Sequence, residues 1–180
     1  VWVQDGFSHF PAWPSKTTND NLLKFKNLLE VSKKPLIICG GAILFSHGEK
    51  IFQEIIEKYN IAVASTISGK GTLADDHPNY LGVVGSNGAV LETRSVVKES
   101  DLIIFIGCRA GSVTTEKWQY PDRKQKIIHI DNDPEVISAN YKTELSIVSD
   151  AKLFLDDFND LNLSKQFNGK EDIRIAKEKK

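Results

Sequence analysis

Several short runs in this sequence set glycine, hydroxyl, arginine or carboxylate groups directly after an apolar stretch. Such groups suit the binding of a phosphate or a flat nitrogen ring. In Cys39-Gly40-Gly41-Ala42 the glycines let the backbone approach a diphosphate where a Cβ would collide, or they serve only a tight strand-to-helix turn. The run is not GxGxxG, because Ala42, Ile43, Leu44 and Phe45 supply no further glycine. Thr66-Ile67-Ser68-Gly69-Lys70-Gly71 invites comparison with a nucleotide-hydrolase phosphate loop. The comparison fails, since Ala64 stands where the first glycine is needed and Gly71 where Ser or Thr must follow the lysine. Thr66 and the main chain at Ile67 remain ligand candidates, and Lys70 reads as a solvated loop cation.

Gly85-Ser86-Asn87-Gly88 precedes a helical pattern, so its N–H groups suit an anion or a carbonyl-rich ring edge, while Asn87 is equally a good N-cap. Gly107-Cys108-Arg109 ends another apolar run, where the guanidinium could clamp a diphosphate, stack on a ring or form a structural ion pair. Asp131, followed by Asn132, sits where acidic side chains accept ribose hydroxyls, with a turn role beside Pro134 as the competitor. Asp150, followed by Ala151, reads first as the cap of the last amphipathic helix. None of this amounts to a catalytic constellation. The four histidines, His9, His47, His77 and His129, have no metal-ligand spacing, and Ser46 beside His47 is a sequence neighbour pair, not a triad. No catalytic residue and no metal ligand is assigned.

Positioning these groups requires a repeating framework. Asn19 or Asp20 can open a helix to about Val31, with Leu22, Phe25, Leu28 and Leu29 on one face. PLIICGG at 35–41 is the short apolar run of a strand covered on both faces. Ile51, Phe52, Ile55, Ile56 and Tyr59 then recur at helical spacing before a second β-branched run at 61–66, which completes a βαβ unit. A helix over about 87–99, strands at 101–108, 126–131 and 145–149, and a last helix with Phe154, Leu155, Phe158 and Leu161 on one face extend the pattern. The expectation is an α/β fold: a doubly wound, mostly parallel open sheet of about six strands, Rossmann-like, with helices on both faces. Ligands then belong beyond the carboxyl ends of the strands.

Bulk properties narrow the function further. A chain of 180 residues with 41% hydrophobic content can bury one sizeable core, and a net charge of -1 gives no attraction to nucleic acid or membrane. No apolar run approaches the roughly 18 residues of a membrane span. Two widely spaced cysteines, Cys39 and Cys108, form neither a disulfide framework nor a metal site, which points to a reducing cytoplasm. Residues 1–18 read as an extended linker, 19–162 as the domain, and the charge-rich 163–180 as a second linker. With no methionine in its composition, the chain is expected to be a piece of a longer polypeptide.

KPLIICGGA, TISGKGTLADDHPNYLGVVG, DLIIFIGCR, KIIHIDNDP and SDA occur in this order, and taken jointly they form a specific signal. On them the chain resembles the central domain of thiamine-diphosphate enzymes of the acetolactate synthase-like family, over nearly all of residues 1–160. Val3-Gln4-Asp5 resembles the end of that family's preceding pyrimidine-binding domain.

The resemblance implies a parent enzyme that decarboxylates or carboligates 2-oxo acids and works as a homodimer or homotetramer. Thiamine diphosphate and Mg2+ would be bound by other domains, and this domain alone would be inactive. It implies FAD, or another adenine nucleotide, or nothing, in the central domain. The FAD-facing positions it carries over are Gly40, Gly41, Thr66, Ile67, Gly85, Asn87, Gly107, Arg109, Asp131, Asn132, Asp150 and Ala151. The sequence departs from the pattern at Asn87, where the family has histidine, and at Ala110-Gly111-Ser112-Val113, where an acidic pair and a second arginine are lost. Two competitors remain: a non-catalytic structural module with a vestigial nucleotide site, and an independent NAD-using enzyme.

Overall fold

The computed structural model describes residues 14–178; the start of the expected upstream linker, including Val3-Gln4-Asp5, lies outside them. The chain opens with α1 (Asn19–Val31), leads into β1 (Pro35–Cys39), and continues through a short α2 (Ala42–Phe45) and α3 (Glu49–Tyr59) to β2 (Ala62–Ser65). After β3 (Tyr80–Val83) and α4 (Leu91–Glu99) come β4 (Leu102–Ile106), β5 (Lys126–Asp131) and β6 (Leu145–Val148). The final helices are α5 (Ala151–Asp160) and α6 (Gly169–Glu178).

The strands form one six-stranded parallel sheet in the order β3-β2-β1-β4-β5-β6, so β1 and β4 are adjacent at its centre. Every residue of β1 and of β4 is buried, as continuous apolar runs covered on both faces demand. Successive side chains point to opposite faces. Ile37, Cys39, Ile104 and Ile106 therefore pack toward α1, α3 and α5, while Leu36, Ile38, Ile103 and Phe105 pack toward α4 and α6. On the first face Phe25 of α1 meets Phe154 and Phe158 of α5 edge-on, at ring-centre distances of 5.1 and 4.8 Å.

Local details depart from the sequence expectation in four places. Thr18, not Asn19 or Asp20, caps α1, its hydroxyl accepting from the Asn21 amide. The helix expected from about residue 87 starts at Leu91, where the Thr93 hydroxyl accepts from the Val90 amide at 2.7 Å. The connections from β2 to β3, β4 to β5 and β5 to β6 carry no α-helix among the described residues, so strands and helices do not strictly alternate.

The fourth departure is the segment read as a charged downstream linker, which contains α6. That helix buries Ile173 and Ala176 on the sheet, and a Cβ at Gly169 would stand 2.4 Å from the Ala62 amide nitrogen. Apolar positions three residues apart make a narrow face, easily hidden among lysines and glutamates. The helix starts beside Asn60 and Ala62 at the amino ends of the strands. Lys177 near its end lines a shallow groove with Gly82 and Val83, at the carboxyl end of β3.

Candidate functional site

The chain leaves β1 toward β2 on one side of the sheet, while β4, on the other side of β1, leads on to β5. In such open sheets the connections diverge at this point, and a crevice is left at the carboxyl ends of the two strands. Here it measures about 510 Å³ and is lined by Gly41, Thr66, Gly107 and Arg109, with Phe45 and Val113 among its apolar walls.

Glycines make the floor. The Gly40 amide donates to the Ile106 carbonyl at 2.8 Å, and a Cβ on Gly40 would lie 2.0 Å from the Gly107 carbonyl oxygen. Gly107 has φ +63°, and a Cβ there would stand 2.4 Å from that of Ala42. Backbone packing between the ends of β1 and β4 therefore demands these two glycines whether or not a ligand binds. Gly41, whose Cβ would sit 3.0 Å from the Ser68 carbonyl oxygen, lines the crevice itself.

The turn after β2 contributes one wall. The Thr66 hydroxyl accepts from the Gly69 amide at 3.1 Å and lies 3.2 Å from the Ser68 hydroxyl, which holds both at the crevice. Ile67, between them, is exposed. The opposite wall is the loop 107–115, in which Arg109 is exposed and has no carboxylate within 4 Å among the described residues. The ion pair considered as its alternative role is not formed among the described residues. That loop is braced from behind: Arg94 of α4 holds Glu116 through Nε at 3.0 and 2.9 Å, and the Ser86 amide donates to the Val113 carbonyl at 2.8 Å.

Beneath Arg109, His129 of β5 is buried, and its Nε2–H donates to the Cys108 carbonyl at 2.8 Å. Burial holds the imidazole pKa below its ordinary 6.5, against the weaker opposing pull of that carbonyl. Burial pushes the thiols of Cys39 and Cys108 up to about 12, so neither is a nucleophile. No group of histidine, cysteine and carboxylate side chains among the described residues could hold a metal ion.

The other sequence candidates lie at the same carboxyl edge but do not line the crevice. Gly85, with φ +90°, supports it from outside, since a Cβ there would be 2.2 Å from the Val113 carbonyl oxygen. Asn87 is exposed in the turn before α4. Asp131 accepts from the Asp133 amide at 3.0 Å in a turn. The Asn132 side-chain oxygen accepts from the Ser15 hydroxyl at 2.9 Å. Asp150 caps α5, accepting from the Lys152 and Leu153 amides, and Ala151 is the buried first residue of that helix. The Ser15 carbonyl in turn accepts from the Asp150 amide at 2.8 Å and the Ser149 hydroxyl at 3.1 Å, so the incoming chain lies across the ends of β5 and β6.

The sequence reading missed Phe45, Ser68, Ser112, Val113 and Thr114 as lining residues. It also missed His129 as a support; a histidine at an inward position of an apolar strand was the available signal. Chemically, the crevice offers one free guanidinium, hydroxyl groups and apolar walls. Such groups suit an anionic group attached to an apolar or flat body, and among the described residues they include no acid–base pair.

Residues 22–158 match the family described as thiamine pyrophosphate enzyme, central domain. The chain is 37% identical over 152 residues to a probable acetolactate synthase large subunit of Methanococcus aeolicus, covering 81% of this chain and 25% of that protein. It is 36% identical over 147 residues to the acetolactate synthase large subunit of Lactococcus lactis, covering 82% and 25%. It thus spans about a quarter of the length of these curated relatives. Among solved structures, benzoylformate decarboxylase from Polynucleobacter necessarius superposes with a TM-score of 0.69 at 23% identity, over 85% of this chain and 28% of that one. That likeness concerns the fold.

Proposed function

Because the chain belongs to the family of thiamine pyrophosphate enzyme central domains and is related to acetolactate synthase, we propose that it is the middle domain of a carboligase or decarboxylase acting on a 2-oxo acid such as pyruvate. Its role in that enzyme is to pack the flanking domains and to hold a nucleotide. Thiamine diphosphate and Mg2+ bind to the other domains and supply the carbanion chemistry. The assembled enzyme is a homodimer or homotetramer, as the family resemblance implies, and the two buried free thiols support a reducing cytoplasm as its compartment. No helix among the described residues is long and apolar enough to cross a membrane.

The observation that carries the nucleotide role is the crevice at the divergence of β1 and β4, with Arg109 free at its mouth. Its donor set fits a diphosphate carried on a flat ring system, which describes FAD or ADP. Arg109 meets the anion, Thr66 and Ser68 offer hydroxyls, and Phe45 and Val113 face apolar surface. FAD, when bound, supplies a flat redox-capable ring. Gly40, Ile67, Gly85, Asn87, Asp131, Asn132, Asp150 and Ala151 are proposed only as flanking positions of that site.

A second reading is favoured by one observation. Asn132 and Asp150, two of the FAD-facing positions that the resemblance carries over, are already bonded to Ser15 and to the start of α5. On that reading the site is vestigial and the domain is purely structural. Purifying the full-length parent and measuring bound flavin absorbance, the thermal shift with FAD or ADP, and thiamine-dependent turnover of pyruvate tests both. Turnover with a nucleotide-induced shift supports the first reading. Turnover with no flavin and no shift leaves the structural one, and the absence of turnover on any 2-oxo acid sinks the parent assignment.

A further inference from the structure

The dipeptide Asn-Gly occurs twice, as Asn87-Gly88 and as Asn168-Gly169. An asparagine in this setting is open to attack by the next backbone nitrogen, because glycine has no Cβ to hinder the approach. The two copies share their local chemistry and differ in what the fold does to them.

Asn87 and Gly88 are both exposed, in the turn between β3 and α4, and so are Ser86 and Leu91 on either side. The Gly88 amide donates to the Gly85 carbonyl at 3.1 Å, but that oxygen also accepts the Ala89 amide at 2.8 Å. The Gly88 bond is the longer of two to one acceptor, and at an exposed turn water can replace it. Asn168 is exposed as well, but its glycine is held. The Gly169 amide donates to the Asn60 carbonyl at 2.9 Å, and a Cβ on Gly169 would lie 2.4 Å from the Ala62 amide nitrogen, so this backbone is pressed against the start of β2. Asn60 is itself fixed: its Nδ2 donates to the Phe167 carbonyl at 2.7 Å, and its Oδ1 accepts from Asn79 Nδ2 at 2.8 Å. The Asn168 carbonyl accepts from the Asp172 amide at 2.9 Å as the first turn of α6 closes. Bringing the Gly169 nitrogen onto the Asn168 side chain requires that turn to open.

We propose that Asn87 is a site of spontaneous deamidation and that the fold protects Asn168 from the same reaction. The Gly88 nitrogen, having given its proton to hydroxide, bonds to Cγ of Asn87. The bond from Cγ to the side-chain nitrogen then breaks, and that nitrogen takes a proton from water and leaves as ammonia. Water opens the resulting five-membered imide at either of its carbonyls, leaving aspartate or isoaspartate at position 87. Overall one water is consumed and one ammonia released. Both products add a negative charge in a turn where no buried side chain loses a partner, so they accumulate in the folded protein. The isoaspartate form also inserts a carbon into the main chain between Ser86 and α4. The Ser86 amide holds the Val113 carbonyl at 2.8 Å, and Val113 lines the crevice, so the ageing of this turn reaches the crevice wall.

The test incubates the full-length protein at mildly alkaline pH, native and in denaturant, and follows both asparagines by peptide mapping that separates the asparagine, aspartate and isoaspartate forms. In the native protein Asn87 is expected to convert at least about tenfold faster than Asn168, and in denaturant the two rates should converge. Asn87→Gln, whose longer side chain disfavours the five-membered ring, is expected to abolish conversion in its own peptide and leave Asn168 unchanged. Hydrogen exchange at the Ser86 amide should be faster in the isoaspartate fraction; an unchanged rate overturns the link to the crevice wall. Equal native rates at the two sites overturn the proposal. So does an Asn87 that converts in the native protein at less than about a tenth of its rate in denaturant. A difference between the sites that persists in denaturant would put its cause in the flanking residues and overturn the protective role of the fold.

Discussion

The Nε2–H of His129 donates to the carbonyl of Cys108 at 2.8 Å, so a buried imidazole on β5 holds the turn that presents Arg109. Because burial holds its pKa below 6.5, the folded state keeps the ring neutral while the unfolded chain takes up a proton more readily. The stability this gives is complete above pH 6.5 and is lost as pH falls through the folded pKa. Urea melts between pH 7.5 and 5 should show a larger loss for the wild type than for His129→Gln. At pH 7.5, His129→Ala should cost about 1–3 kcal/mol by leaving the buried carbonyl unpaired. A His129→Gln profile that parallels the wild type would remove the histidine from this account.

Arg109 makes no ion pair among the described residues, so removing it should not disturb folding. Arg109→Ala is expected to change stability by less than about 0.5 kcal/mol. It should also abolish most of any melting-temperature rise that FAD or ADP gives in the full-length protein. A variant that keeps the whole ligand-induced shift would show that the guanidinium does not meet the anion.

Gly40→Ala places a Cβ 2.0 Å from a backbone oxygen that cannot move without opening the contact between β1 and β4. The expected cost is at least about 1–3 kcal/mol. Gly111→Ala, at a position with nothing within 4 Å of the added carbon, is the matched control. Equal denaturation midpoints for the two variants would contradict the packing described.

Both thiols are buried and shifted up to about 12. At pH 8 a disulfide-exchange reagent should titrate essentially none of them in the folded protein and both in denaturant. Rapid release from the native protein would mean that the ends of β1 and β4 open to solvent.

Asp101 accepts from the Ser32 hydroxyl at 2.5 Å and from the Lys33 and Lys34 amides at 2.7 and 3.0 Å, so it joins the end of α1 to the start of β4. Burial pushes its pKa up, but these three bonds outweigh that and hold it below 3.8. Its contribution is present above pH 3.8 and disappears as pH falls through the lower folded value. Asp101→Ala should cost about 1–3 kcal/mol at pH 7 and weaken acid unfolding of the remainder, as followed by circular dichroism.

The sheet was readable wherever burial on both faces required an unbroken apolar run, as in β1, β4 and β5. Strand β3 escaped notice because its four residues include Gly82, and α6 because its buried face is narrow. The carboxyl-edge positions of Thr66 and Arg109 followed from the strand ends. The lining by Phe45 and Val113 did not, since an exposed apolar loop residue has no local signature until the loops are assembled. The two roles left open for Gly40 separate only in three dimensions, where a neighbouring backbone excludes any Cβ.

Ser15 has both its carbonyl and its hydroxyl committed to the ends of β5 and β6, with the carbonyl bound to the amide of the residue that caps α5. Tension applied to the polypeptide ahead of residue 14 is therefore transmitted into the first turn of that helix. Under a pulling force this short clasp should rupture before the sheet does, freeing the leading segment while the rest of the fold stays assembled.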